Sequence, residues 1–142
     1  GEGVEYNDGR VFAEFARCVI ENKNIVLKTK GETRRSYLNI RDAVEAIMKI
    51  MISDVVGEAF NVANEDTYCS IYEMAEMVAK KIAKENISVE LDIAKEDSRG
   101  FAPTLCMNLD TSKLKELGWS AKISLEDTFK EMISWMREHK ND

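Results

Sequence analysis

The sequence predicts a mixed α/β lobe: about four main helices that carry the core, joined by short strands. Three observations lead there. Four segments repeat apolar residues at spacings of three and four, the period of an amphipathic helix. The β-branched runs between them are brief and scattered, too short for a self-sufficient doubly wound sheet. A chain of 142 residues, 44% hydrophobic and 32% charged, suffices for one core in one domain spanning residues 1–142.

The first helix places Val11, Phe12, Phe15, Ala16, Val19 and Ile20 on one face, with Asp8 as its expected N-cap. Ile25-Val26-Leu27 and Tyr37-Leu38-Asn39-Ile40 read as short strands. A second helix is expected from about Asp42, with Val44, Ile47, Met48 and Met51 as its apolar stripe, and Ala59-Phe60-Asn61-Val62 after Gly57 reads as another strand. The third helix repeats Ile71, Met74, Ala75, Val78, Ala79 and Ile82. It opens with Ser70-Ile71-Tyr72-Glu73, a capping box in which each end side chain satisfies an otherwise orphaned N–H. Val89 to Ile93 alternates apolar with polar, and the aperiodic stretch from Glu96 to Pro103 reads as an ordered loop. A short helix from Thr111 ends at Gly118, a natural left-handed cap, and Trp119 then packs back on the core. The last helix begins at Ser124 and turns Leu125, Phe129, Met132, Ile133 and Met136 inward. Arg137, His139 and Lys140 suit the negative end of its dipole.

Composition excludes several classes. A net charge of −6 argues against a nucleic-acid surface, which needs a basic footprint. No apolar stretch is long enough to span a bilayer, and no charged-then-apolar opening marks a signal peptide, so a cytoplasmic protein with no membrane partner is expected. Cys18, Cys69 and Cys106 are odd in number and form no CxxC. With His139 as the single histidine, a zinc site is not expected, and the cysteines read as reduced thiols. Seven methionines at helical spacing read as core filler.

Complete catalytic machinery is also missing. Gly1-Glu2-Gly3 begins like a dinucleotide loop, but Tyr6 stands where the third glycine belongs and no strand precedes it. GxxxxGK[ST], HExxH and GxSxG are absent, and four residues after Tyr37 comes Arg41 rather than lysine. No catalytic, cofactor-binding or metal-binding residue is therefore expected here. The arginines are more informative. Five of seven (Arg10, Arg17, Arg34, Arg35, Arg41) fall in the first 41 residues. A guanidinium fork grips a multi-oxygen anion through two parallel hydrogen bonds, although surface pairs with the 26 acidic residues account for part of the set.

Four motifs occur in order. They are Asn7-Asp8-Gly9-Arg10-Val11 leading into a helix, and Gly31-Glu32-Thr33-Arg34-Arg35-Ser36-Tyr37 running on to Ile40-Arg41-Asp42. Then come Gly57-Glu58-Ala59-Phe60-Asn61-Val62, and Leu109-Asp110-Thr111-Ser112-Lys113 followed by Leu117-Gly118-Trp119. Together they resemble, over essentially the whole chain, the C-terminal substrate-binding region of the NAD-dependent epimerase/dehydratase family, the extended short-chain dehydrogenases acting on nucleotide sugars. The resemblance implies a lobe separated from an N-terminal Rossmann domain that binds NAD, supplies the catalytic residues and forms the homodimer contacts. The lobe alone is then expected to be inactive. Its partner is a nucleotide-diphosphate sugar. By resemblance, Arg35 grips the diphosphate and Arg99 clamps it or lies near the sugar, Leu27 and Lys28 lie near the base, and Arg10 and Tyr37 are lesser candidates.

There are departures from the family pattern: Ser36 replaces a common Asp, no carboxylate follows Arg99 closely, and Ser120-Ala121 replaces the proline after Gly118-Trp119. Epimerisation, dehydration and decarboxylation, all passing through a 4-keto sugar, remain equally open. So do a stand-alone, non-catalytic sugar-nucleotide module, and a ligand-free interaction domain in which Arg35 and Arg99 would be paired internally with carboxylates.

Overall fold

The computed structural model describes residues 1–93 and 103–140. Two small sheets organise it. β1 (Ile25–Leu27) pairs in parallel with β4 (Val89–Leu91). β2 (Arg34–Arg35) lies between β3 (Cys69–Ser70), antiparallel to it, and β5 (Cys106–Met107), parallel to it. The helices are α1 (Val11–Glu21), α2 (Ile40–Met51), α3 (Ile71–Met77), α4 (Ser112–Glu116) and α5 (Leu125–Glu138). α3 runs on through a wider π turn, Val78–Ile82, where the Ala83 N–H reaches back to the Val78 carbonyl at 2.9 Å. A mixed α/β lobe is the observed architecture.

The main core follows from the helical periodicity. Phe15 of α1, Ile25 of β1, Met74 and Val78 of α3 and its extension, and Phe129, Met132 and Met136 of α5 are all essentially buried. Burying one such side chain contributes about 1.5–3 kcal/mol, so this cluster dominates the lobe's stability. The capping box forms as read: Ser70 Oγ accepts the Glu73 N–H at 3.0 Å, and the Glu73 carboxylate accepts the Ser70 N–H at 2.7 Å.

A second, smaller cluster joins Ala46 of α2, Leu114 of α4 and Trp119, with Leu38, Ile50, Phe60 and Val62 packed against it. Gly118, at φ 80°, supplies the left-handed turn that delivers Trp119 to it. Polar ties fix α2 over this cluster. Asn39 caps α2 by accepting the Arg41 N–H at 2.9 Å, and its amide donates to Glu131 at 2.8 Å and Thr128 at 3.1 Å on α5. The buried Asp42 carboxylate accepts the N–H groups of Lys122 (3.1 Å) and Ile123 (2.9 Å).

Several expectations are corrected. Arg10, not Asp8, occupies the N-cap position of α1, without a side-chain cap. The Asp8 carboxylate is drawn instead to the Arg10 N–H and guanidinium, a charge-assisted fork stronger than a neutral cap bond. The expected Tyr37–Ile40 strand lies three residues earlier, at Arg34–Arg35, because the Asn39 cap starts α2 at Ile40. Ala59–Val62 alternates in burial like a strand but pairs with none among the described residues. The stripe of α2 faces outward: Val44, Ile47, Met48 and Met51 are 50–72% exposed. The loop expected at Glu96–Pro103 lies, apart from Pro103, outside the described residues.

Candidate functional site

The middle strand of the three-stranded sheet presents two consecutive arginines, and a strand sends consecutive side chains to opposite faces. Arg34 turns toward the start of α3, where its two terminal nitrogens meet the Glu73 carboxylate at 3.1 and 2.9 Å. Its guanidinium also lies 5.3 Å from the Tyr68 ring centre. Glu73, already half of the capping box, thereby neutralises Arg34, and these bonds hold its carboxyl below the usual carboxylate range. Arg35 is exposed and has no hydrogen-bond or ion-pair partner among the described residues.

The other early arginines are committed. Arg10 is gripped by both Asp8 oxygens, at 2.5 Å for the shortest contact, and stacks 4.7 Å from the Phe12 ring centre. Those bonds lower the Asp8 carboxyl to about 2. Arg17 donates to the carbonyls of Tyr6 (2.8 Å) and Asp8 (2.7 Å), fixing the segment before α1. Arg41 pairs with Glu131. Among the five early arginines, Arg35 is thus the one whose guanidinium has no partner among the described residues.

Its surroundings are built by the sheet. Arg35 lies opposite Cys69 in β3 and Met107 in β5. Tyr37, two residues on, is half-buried; its N–H donates to Thr67 Oγ1 at 2.8 Å and its carbonyl accepts from the same hydroxyl at 2.6 Å. Burial pushes the Tyr37 phenol up, the Cys69 thiol beside it adds to that, and the positive charge of Arg35 works the other way. The structure therefore brings Arg35 and Tyr37 together. Tyr37 also lines a small, mostly apolar cleft of about 80 Å³ with Leu38, Phe12, Leu125 and Phe129. Burial, with the Glu73 charge, drives Cys69 up to about 11, so that thiol stays protonated at neutral pH.

The remaining candidates lie elsewhere. The Leu27 side chain is buried in the main core, and its carbonyl accepts the Asp92 N–H at 2.9 Å. Lys28 pairs with Asp92 at the rim of the two-stranded sheet. Arg99 lies outside the described residues. Neighbours that the sequence did not single out are Asn108, whose Oδ1 lies 3.5 Å from Ser36 Oγ, the exposed Met107 on β5, and the exposed Leu105 just before it. No local signal marks them, because β5 reaches β2 across some seventy residues of chain.

Gly1–Gly3 are not followed directly by a helix: α1 begins only at Val11. Among the described residues no His/Cys/Asp/Glu cluster could hold a metal, and no helix is long and apolar enough to cross a membrane.

Comparison with known proteins identifies the family. The family model described as GDP-mannose 4,6 dehydratase matches residues 5–132. UDP-N-acetyl-alpha-D-glucosaminuronate decarboxylase of Bacillus cytotoxicus is 30% identical over 133 residues, covering 93% of this chain and 41% of that protein. UDP-glucuronic acid decarboxylase 1 of Arabidopsis thaliana is 31% identical, covering 92% of this chain and 28% of that protein. UDP-glucose 4-epimerase of Thermotoga maritima, solved with UDP-glucose, superposes with a TM-score of 0.74 at 22% identity over 96% of this chain and 42% of that one. The chain thus spans less than half the length of the relatives it matches. It belongs to the GDP-mannose 4,6 dehydratase family, among the NAD-dependent nucleotide-sugar epimerases and dehydratases of the extended short-chain dehydrogenase group.

Proposed function

We propose that this chain is the substrate-binding lobe of a nucleotide-sugar epimerase, dehydratase or decarboxylase, and that Arg35 holds the diphosphate of the sugar nucleotide. The observation that carries the reading is the sorting of the five early arginines: the side chains of Arg10, Arg34 and Arg41 meet carboxylates and that of Arg17 meets backbone carbonyls, whereas the Arg35 guanidinium stands exposed and unpaired among the described residues. Arg99, by family resemblance, is the second fork. Two guanidinium groups match two phosphate charges in geometry and in sign. NAD and the proton-transferring side chains belong to an N-terminal domain beyond these residues, so the 4-keto chemistry takes place outside this lobe. The lobe's share is orientation, which lowers barriers by as much as about 7–11 kcal/mol in the best-aligned cases.

Isothermal titration with UDP-glucose and dTDP-glucose tests this. A charge-assisted bond contributes about 1.5–3 kcal/mol, so Arg35→Ala is expected to weaken binding at least about tenfold. Arg34→Ala, which removes an arginine already paired, is expected to change it little. Equal affinity of wild type and Arg35→Ala would overturn the assignment.

A further inference from the structure

β2 is only two residues long, and Arg35 is its last. The antiparallel register with β3 pairs Arg34 with Ser70 and Arg35 with Cys69, and the Ile71 N–H carries it one step back to the Thr33 carbonyl at 3.0 Å. Carried two steps forward, the same register faces Tyr37 with Thr67. Among the described residues the two main chains form no bond there, because the Thr67 N–H turns away to the Asn64 carbonyl at 3.2 Å and closes the 3-10 turn Glu65–Thr67. The Thr67 side chain supplies the missing rung. Its Oγ1 accepts the Tyr37 N–H at 2.8 Å, and its single proton faces the carbonyls of Tyr37 at 2.6 Å and Asn64 at 2.8 Å.

That rung stands on fixed ground. Thr67 is 6% exposed. Asn64 caps the turn by accepting the Asp66 N–H at 3.1 Å, and its amide donates to the Ile123 carbonyl at 3.0 Å, two residues before α5. Glu65 accepts the Thr111 N–H at 2.9 Å, one residue before α4. A ladder frays from its ends, and a side chain on a wandering main chain must be ordered anew at every binding event. Arg35 is spared that: it lies between the Thr33–Ile71 bond and the Tyr37–Thr67 bonds, while the residue itself stays exposed.

We propose that Thr67 is a positioning residue for the anion site: its hydroxyl ends the β2 ladder in place of a main-chain group and holds the strand from which Arg35 projects. This rests on the reading of Arg35 as the residue that holds the diphosphate. Thr67 is too buried to meet the ligand and acts through the Tyr37 main chain. The role belongs to the hydroxyl. Serine offers the same donor and acceptor, whereas valine has nearly the same shape and neither. With valine there, the Tyr37 N–H loses its acceptor, and the chain leaving Arg35 is free to seek water instead.

The test makes Thr67→Val and Thr67→Ser in the entire polypeptide the gene encodes, each with and without Arg35→Ala. Amide hydrogen exchange reads the strand, and titration with UDP-glucose and dTDP-glucose reads the site. Thr67→Val is expected to speed exchange of the Tyr37 amide at least about tenfold while the amides of Phe129 and Met132 stay slow, which shows the lobe folded. It is expected to weaken binding at least about fivefold, and Thr67→Ser to keep both readouts within about twofold of wild type. Thr67→Ala gives the same readouts if the valine variant does not fold. On the Arg35→Ala background Thr67→Val should weaken binding no further, because it acts through that arginine; a general loosening of the lobe would weaken binding on both backgrounds. Wild-type affinity in Thr67→Val, an equal loss with and without Arg35, or a serine variant as weak as valine overturns the proposal. Arg35→Ala alone separates the two readings. If it binds as wild type does, the diphosphate assignment falls and the positioning role with it; if it loses binding and Thr67→Val does not, the positioning role alone falls.

Discussion

The two hydrophobic clusters of this lobe differ in kind. The one between α1, α3, α5 and β1 is the larger, and seven of its large apolar side chains are less than 2% exposed. The one under α2 has three buried members, Ala46, Leu114 and Trp119, and a helix whose other face meets solvent. Trp119 Nε1 is buried there with no hydrogen-bond partner among the described residues. The first cluster holds most of the buried apolar side chains; the second is small and lies under a helix exposed on its other face. Local opening is therefore expected to begin on the α2 and α4 side.

Three measurements sharpen that contrast. The largest effect is expected in the closed cluster, where Phe129→Ala should cost about 3–5 kcal/mol in urea denaturation. Leu114→Ala should fall near the low end of the range for its type, about 2 kcal/mol, because an open site collapses around a cavity more readily. Equal costs would mean that the second cluster is as enclosed as the first.

A smaller effect is expected from acid. Hydrogen bonds from the Thr111 hydroxyl and Lys115, joined by the Thr111 N–H, hold the Glu65 carboxyl at about 2, down from 4.5, and tie the residues before β3 to α4. A depressed folded pKa means that this stabilisation is full above pH 4.5 and is lost as the pH falls toward 2. Glu65→Gln should flatten the stability profile in that window, measured by denaturant titration at stepped pH, whereas an unaltered slope would show that Glu65 contributes nothing. The smallest effect belongs to the exposed face of α2. Val44→Asp in the 142-residue chain should shift stability by no more than about 0.5 kcal/mol in urea; a loss several times larger would show the face already covered in solution.

The legible part of the fold was the part with local or periodic causes. The stripes of α1, α3 and α5, the Ser70–Glu73 box and the Gly118 turn depend on residues within one or two turns of each other, and the structure bears them out. Asp8 misled because its best partner, the Arg10 guanidinium, outbid the cap it is suited to make. The strand register slipped because Asn39 is held by Thr128 and Glu131, partners some ninety residues away that no local pattern reveals. Ala59–Val62 has a strand's composition, but a ladder needs a neighbour. At the candidate site, the motif marked Arg35. What separates it from Arg34, the commitment of Glu73 to the latter, appears only once β2 and α3 are folded together.

Gly31 carries a consequence for inheritance. Its backbone is left-handed at φ 67°, and a Cβ there would lie 2.8 Å from the Tyr72 nitrogen, which donates to the Gly31 carbonyl at 3.1 Å. Any other residue must at once accept a disfavoured conformation and displace the start of α3, four residues before Arg35. The position has no near-neutral alternatives through which a lineage could drift. Descendants of this sequence can exchange what surrounds Arg35, but they cannot gradually move the place where it stands.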